Sequence, residues 1–375
     1  MLNMHSLLLV GPYDWDPELM PRAEFEERIR AFWARIPESA GSFAVIYGDS
    51  RHHAEIAYLT HFVPKVRSAM AIVPREGEPV LLLPGSRNSF SSAERLSCFK
   101  NLDLLTDPAK AVDKWVADHP GNAKRGVLLG TAAMRPQQYQ QLLAAFPDNA
   151  APLEASHTLH SLMRVKRPRE LTAIRRGCEI LSAAAGVLAE AQRSGAQVTA
   201  AVLEAERAAN AMGAQDVRSL FSLDGGATLR PFSSLIERAV DPLQVCMAVL
   251  HAGYWVEGSV LCSNKPHAVR ERVGAALRAL TSQAKAGAKA GDLASAVTAA
   301  IKPYKPHPMI GACIGNGIGM ALEEAPRLDA KGDAVLEAGA VYTLCAGATD
   351  GKQHAMLSAM VLVGESGCEV LWTAA

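Results

Sequence analysis

The chain lacks an excess of either charge. Its 375 residues carry 38 Lys and Arg against 38 Asp and Glu, a formal net charge of zero. Without a long basic run there is no electrostatic reason to expect nucleic acid or an anionic membrane as a partner. Long hydrophobic runs are also missing. Apolar stretches such as Val80-Leu81-Leu82-Leu83 are strand-length, and none approaches the roughly 20 residues that span a bilayer. The patch in Met1–Val10 has no basic n-region and no small-residue cleavage site, and Pro12-Tyr13-Asp14 follows at once. A signal peptide is not expected there. The seven cysteines are scattered, odd in number and without a CxxC pair. That pattern fits free thiols in a reducing cytoplasm and gives no sign of a disulfide framework. Low-complexity segments and long linkers are absent too.

What is present is ordinary globular composition, 49% hydrophobic and 20% charged, in a chain long enough for two packed cores. A helix is predicted over 22–36, with Phe25, Ile29 and Phe32 on one face. Strand-like runs follow at 43–47, 68–73, 79–83 and 126–129, with helices near 107–117 and 135–146 between them. Strands alternating with helices predict an α/β layer domain. From about residue 160 the texture changes. Leu171, Ile174, Cys178, Leu181, Ala185 and Leu188 recur every three or four residues and predict one helix from Pro168 to Gly195. A second helix covers about 197–212, and a strand covers 243–250. Two more helices are read at 267–286 and 292–302, the latter with Asp292 as N-cap. Strands near 309–315, 340–345 and 357–363 close the chain. The order, a helix pair and then strands, occurs twice, as a duplicated half would leave it.

Specific motifs sharpen this. The segment Leu162-Met163-Arg164-Val165-Lys166-Arg167-Pro168-Arg169-Glu170-Leu171 resembles the first helix of the creatinase, prolidase and aminopeptidase P group. Gly253-Tyr254 resembles that group's GY before its second metal aspartate. Gly315-Asn316-Gly317-Ile318-Gly319 and Glu323-Glu324-Ala325-Pro326 resemble its GHGIG and HE-x-P segments. Leu336–Leu344 resembles the run before its first metal glutamate, and Ile56–Phe62 resembles its N-terminal domain. The resemblance implies a creatinase-type α/β N-terminal domain over 1–158. It also implies an α+β pita-bread domain over 159–375, and a homodimer in which N-terminal domains close the partner's site.

The same resemblance locates the positions where active peptidases of the group hold two divalent ions with two aspartates, a histidine and two glutamates. Here they fall on Cys246, Glu257, Asn316, Cys345 and Ser358, of which only Glu257 is a carboxylate. Hard divalent ions favour carboxylate oxygens and imidazole, so a two-metal peptidase is not expected and no metal or other cofactor is assigned. Cys246 and Cys345 with Glu257 also read as a zinc set, as a reactive thiol, or as small buried apolar replacements. Creatinase shares the fold and works without metal, holding a carboxylate with arginines and moving a proton with a histidine. By that resemblance Arg67 and Arg230 are carboxylate-binding candidates, the register of the loop 224–241 staying open. An arginine fork suits a carboxylate. A buried Glu257 would titrate high and serve as acid or base. His354 is a candidate base, Asn316 a polarising amide, and Glu323 an acidic wall. His61, His251 and His307 are further histidines with a structural reading.

The reading is a metal-independent creatinase-like enzyme acting on a small, zwitterionic carboxylate- and nitrogen-containing molecule. C–N hydrolysis is expected, with lyase or cyclisation chemistry beside it. Glu257, His354 and Asn316 are its catalytic candidates. Arg67, Arg230, Glu323, Cys246, Cys345 and Ser358 are its substrate-binding candidates. The alternatives are a pita-bread pseudoenzyme that binds a peptide or protein, and an altered single-metal hydrolase.

Overall fold

The computed structural model describes residues 13–65, 67–119, 125–146, 151–232, 235–236 and 238–375. The expectation for Met1–Val10 lies outside them, as do residues 233, 234 and 237 of the 224–241 loop. The chain divides into two compact units, the first ending at Met163 and the second running over Arg164–Ala375.

In the first unit, α1 (Arg22–Trp33) precedes β1 (Phe43–Gly48), α2 (Ala54–Thr60), β2 (Ala69–Pro74) and β3 (Val80–Leu83). Then come α3 (Phe90–Ala93), β4 (Asn101–Leu104), α4 (Pro108–Asp118), β5 (Gly126–Leu129), α5 (Pro136–Leu143), β6 (Leu153–Glu154) and α6 (Ser156–Arg164). The strands form one mixed sheet in the order β4-β3-β2-β1-β5-β6. Period two puts Phe43, Val45 and Tyr47 of β1 and Met70 and Ile72 of β2 on the face covered by Val112 and Trp115 of α4 and Leu142 of α5. Ala44, Ile46, Ala71 and Val73 point the other way and are equally buried. Both faces are closed, so β1 and β2 read as continuous apolar runs.

The second unit begins with α7 (Pro168–Ser194), α8 (Val198–Ala211), β7 (Asp216–Phe221), β8 (Leu243–His251) and β9 (Tyr254–Cys262). It continues through α9 (Ala268–Gln283), α10 (Ala290–Ala300), β10 (Lys305–Pro306), β11 (Cys313–Gly317), β12 (Glu324–Asp329), β13 (Val341–Thr349), β14 (His354–Val363) and β15 (Cys368–Thr373). Helix α7 starts where Pro168 fills the first position and Glu170 accepts from the Arg167 amide at 3.1 Å. It stops at Gly195, whose φ of 70° is the left-handed cap conformation. Val165, Lys166 and Arg167 separate α7 from α6, because the residue before a proline is driven out of the helical region. Strands β7-β8-β9 form a three-stranded sheet, and β12-β11-β13-β14-β15 form a second sheet, with β10 pairing β13.

Three expectations shift in register. Lys289, not Asp292, precedes α10, and Asp292 lies in its first turn, where a negative charge favours the helix dipole. The strand expected at 309–315 is Cys313–Gly317, because Met309 and Ile310 lie in a turn hydrogen-bonded to His307. The first helix ends at Trp33 rather than residue 36. Alternation alone does not announce β7, β9, β12 or β15.

Candidate active site

Strands β13 and β14 have two unlike faces. Leu344, Ala346, Ala348, Ala355, Leu357 and Ala359 pack with Val273, Leu277 and Leu280 of α9. By alternation, Thr343 and Cys345 of β13 and Met356 and Ser358 of β14 lie on the opposite face, where Cys345 and Ser358 are direct register partners. Asn316 of β11 is the register partner of Thr343 and shares that face. In the other sheet, Cys246 pairs with Ser259 and Ala248 with Glu257. The two faces meet. Cys345 lies within electrostatic reach of Glu257 and Cys246, Thr343 hydrogen-bonds Glu257, and the Ser259 amide donates to Ser358 Oγ at 2.8 Å. All five positions singled out by the motifs therefore converge on one polar surface.

Burial pushes the ionisable groups of that surface toward their neutral forms. Burial pushes the Glu257 carboxyl above its usual value; the hydrogen bond with Thr343 works the other way, and the Glu323 charge adds to the rise. No basic side chain acts on Glu257 among the described residues. Burial also pushes the Cys246 thiol up to about 11, against the opposing effect of its bond to Ser259. Burial raises the Cys345 thiol further, with Cys313, Glu257 and Cys246 nearby. Both are thiols at neutral pH. The Cys246 thiol donates to Ser259 Oγ at 3.0 Å. Asn316 spends its amide hydrogens on the Gly317 and Leu322 carbonyls at 2.8 and 3.1 Å, which leaves its oxygen as an acceptor. Gly315 lets the chain reach this point. Its φ is 145°, and a Cβ there would sit 1.9 Å from the Thr343 carbonyl oxygen.

The remaining candidates are placed differently. Glu323 is exposed, 3.7 Å from Arg327. Arg230 is exposed, and its backbone bridges Phe221 at 2.9 and 3.0 Å. Arg67 is an exposed residue of the first unit. His354 opens β14 and meets His307 edge-on at 5.7 Å between ring centroids, its Nδ1 buried without a hydrogen-bond partner. His307 is fully buried, donates from Nε2 to the Gly226 carbonyl at 2.9 Å, and accepts the Met309 amide at Nδ1. His251 contacts the Gly213 carbonyl at 3.0 Å. Burial lowers His61 to about 4, which keeps it neutral.

Motif reading missed Gln244, Ser259 and Thr343. The signal was available: Ser259 stands two residues after Glu257, Gln244 two before Cys246, and Thr343 two before Cys345, each on the same strand face. Among the described residues, no group of three or more His, Cys, Asp or Glu side chains is placed to hold a metal ion. No helix among them is long and apolar enough to cross a membrane.

Comparison with known structures shows the same architecture. A prolidase from Pyrococcus horikoshii superposes with a TM-score of 0.75 at 16% identity, over 92% of this chain and 97% of that one. A prolidase from Thermococcus sibiricus gives 0.74 at 20%, over 94% and 97%. An X-Pro aminopeptidase from Thermotoga maritima gives 0.70 at 18%, over 88% and 95%. At these identities the likeness is one of fold, an α/β domain followed by a pita-bread domain. No curated protein matches the chain. The sequence model of metallopeptidase family M24 matches residues 172–365, more than half of the chain, and the chain belongs to that family.

Proposed function

We propose that this chain is a metal-independent member of its family that cleaves a C–N bond in a small carboxylate- and nitrogen-containing molecule. The observation that carries the reading is Glu257, a half-buried carboxyl with a raised pKa and no cationic partner among the described residues. Such a group holds its proton to higher pH than an exposed carboxyl does and can donate it to a leaving nitrogen.

The residues present do not fit a dinuclear centre. Two divalent ions need several carboxylates. Here Glu257 is the one carboxylate of the five positions, Cys246 and Cys345 offer soft sulfur in place of carboxylate oxygen, and the Asn316 amide is committed to backbone carbonyls. A single zinc would need Cys246, Cys345 and Glu257 together, and among the described residues no group of three such side chains is placed to hold a metal ion.

In this reading Glu257 protonates the departing nitrogen as the C–N bond breaks, a water adds to the carbon it leaves, and the proton that the water sheds returns to the Glu257 carboxylate. Asn316 Oδ1 accepts from a substrate N–H. His354 is the second proton-transfer candidate. Cys246, Cys345 and Ser358 line the pocket as small neutral groups, and Glu323 stands at its acidic edge. Arg67, supplied by the partner in a homodimer, and Arg230 are the carboxylate grips for a zwitterionic substrate in the cytoplasm.

The test starts with a thermal-shift screen of N-substituted amino acids and guanidino acids, followed by assay of amine or ammonia release. Glu257→Gln preserves the size and hydrogen bonding of a protonated carboxyl but has no proton to give. It should keep the ligand-induced shift and lose about 100-fold or more in turnover. Wild-type turnover in that variant would refute the acid role. A ligand shift with no turnover in either protein would mark a binding module instead.

A further inference from the structure

The strand ladders of β7-β8-β9 and of β12-β11-β13-β14-β15 are separate. Side chains connect the two sheets. Gln244, fully buried, shares its amide hydrogens among Ser259 Oγ at 3.0 Å, the Val260 carbonyl at 2.8 Å and the Met356 carbonyl at 2.9 Å. Its oxygen accepts the Met356 amide at 3.0 Å. Ser259 Oγ donates to the Met356 carbonyl at 3.0 Å and accepts the Cys246 thiol at the same distance. The Ser259 amide donates to Ser358 Oγ at 2.8 Å.

Four of these bonds cross between the sheets: one in each direction between Gln244 and Met356, one from Ser259 to Met356, and one from Ser259 to Ser358. One of them ends on Ser358, and the Cys246 thiol holds the Ser259 hydroxyl from within its own sheet; both are positions whose side chains do not fit bridging ions. We infer that this cross-link holds the two sheets at one spacing in place of shared metal ions, and that Ser259 is the residue that positions the cleft. Buried polar groups that satisfy one another fully make a rigid, specific joint. A joint of this kind makes the cleft complete before anything binds. The inference stands on hydrogen-bond geometry and does not depend on the proposed chemistry, so its failure and the failure of the C–N reading are separable.

The test uses the full chain and three readouts. First, dialysis against EDTA, or addition of Mn²⁺ or Co²⁺, should leave the wild-type melting temperature unchanged. Second, Ser259→Ala removes one cross-sheet bond and leaves the Cys246 thiol without its acceptor, while the Gln244 amide keeps the Val260 and Met356 carbonyls. It should lower the melting temperature by about 5 °C, while Ser259→Thr, which keeps the hydroxyl, recovers most of the loss. Third, alkylation of Cys246 by iodoacetamide, followed by mass spectrometry, should speed up several-fold in Ser259→Ala and return in Ser259→Thr. General destabilisation would expose the buried Cys98 and Cys178 as well, whereas a local loss of the Ser259 hydroxyl should leave their labelling unchanged. If Ser259→Ala does not fold, Ser358→Ala removes the acceptor from the opposite sheet and should lower the melting temperature by about 3 °C. A fall in wild-type melting temperature on chelation overturns the inference. So does a Ser259→Ala variant as stable as wild type with unchanged Cys246 labelling.

Discussion

The strands of the two units face different neighbours, and their sequences differ accordingly. Strands β1 and β2 of the first unit, Phe43–Gly48 and Ala69–Pro74, are buried at every position and carry apolar side chains on both faces. Strands β8 and β9 of the second unit are also mostly buried, yet Gln244, Cys246, Glu257 and Ser259 interrupt them. In the first unit α4 and α5 close one face, and the other is equally buried. In β13 and β14 only one face packs on α9; the other meets β9 across a polar layer. A buried polar residue is tolerated where a second polar residue answers it and is costly where a hydrocarbon does. The candidate surface is therefore a place where buried strands are not apolar on both sides.

The sharpest way to break this contrast is to remove one member of a buried pair in the second unit. Lys166 has a side chain 1% exposed and donates to Glu324 at 2.7 Å, while Glu324 Oε1 accepts the Met320 amide at 2.7 Å. Lys166→Met strands that carboxylate. Thermal denaturation should show a loss of about 3–5 kcal/mol, near 10 °C in melting temperature; a shift of less than about 2 °C would show that the pair is not a structural anchor. A matched pair of substitutions comes next. Val45→Ser places a hydroxyl in the doubly covered sheet of the first unit, where Val45 is fully buried, and should cost about 3 kcal/mol in urea unfolding. Cys345→Ser places the same hydroxyl on the polar face and should cost less than about 1 kcal/mol. Equal costs would erase the distinction between the faces.

The smallest effect is the dependence on pH. Glu257 binds its proton more tightly in the folded chain than its ordinary value of 4.5 implies. Its contribution to stability is complete below that value and is lost as pH rises through the raised one. Above pH 4.5 the wild type should therefore lose urea resistance relative to Glu257→Gln, whose side chain does not titrate. Parallel profiles for the two proteins would mean that burial does not perturb Glu257.

Much of the fold is legible from residue order. The period of α7, its Pro168 start and its Gly195 stop are local signals. The apolar runs of β1, β2 and β3 declare themselves because both faces are covered. Strand β9 does not, since Tyr-Trp-Val-Glu-Gly-Ser mixes bulk, charge and glycine; each residue answers a different neighbour. The candidate site was legible only where a motif named a position. Cys246, Glu257, Asn316, Cys345 and Ser358 could be placed by their order along the chain. Ser259, Gln244 and Thr343 are ordinary residues whose importance comes from what stands opposite them.

Charge balance, the helix and strand periods, and the ordered motifs from Arg164 to Leu344 belong to the sequence by itself. They determine the two-domain plan and identify Glu257 as the one carboxylate among the five substituted positions. Only the tertiary structure decided that Glu257 has no cationic partner among the described residues, that the Asn316 amide hydrogens are already spent, and that Ser259 joins two sheets. Those facts are relations between residues as many as 99 positions apart. Burial and hydrogen-bond geometry exist only once the strands have been brought together.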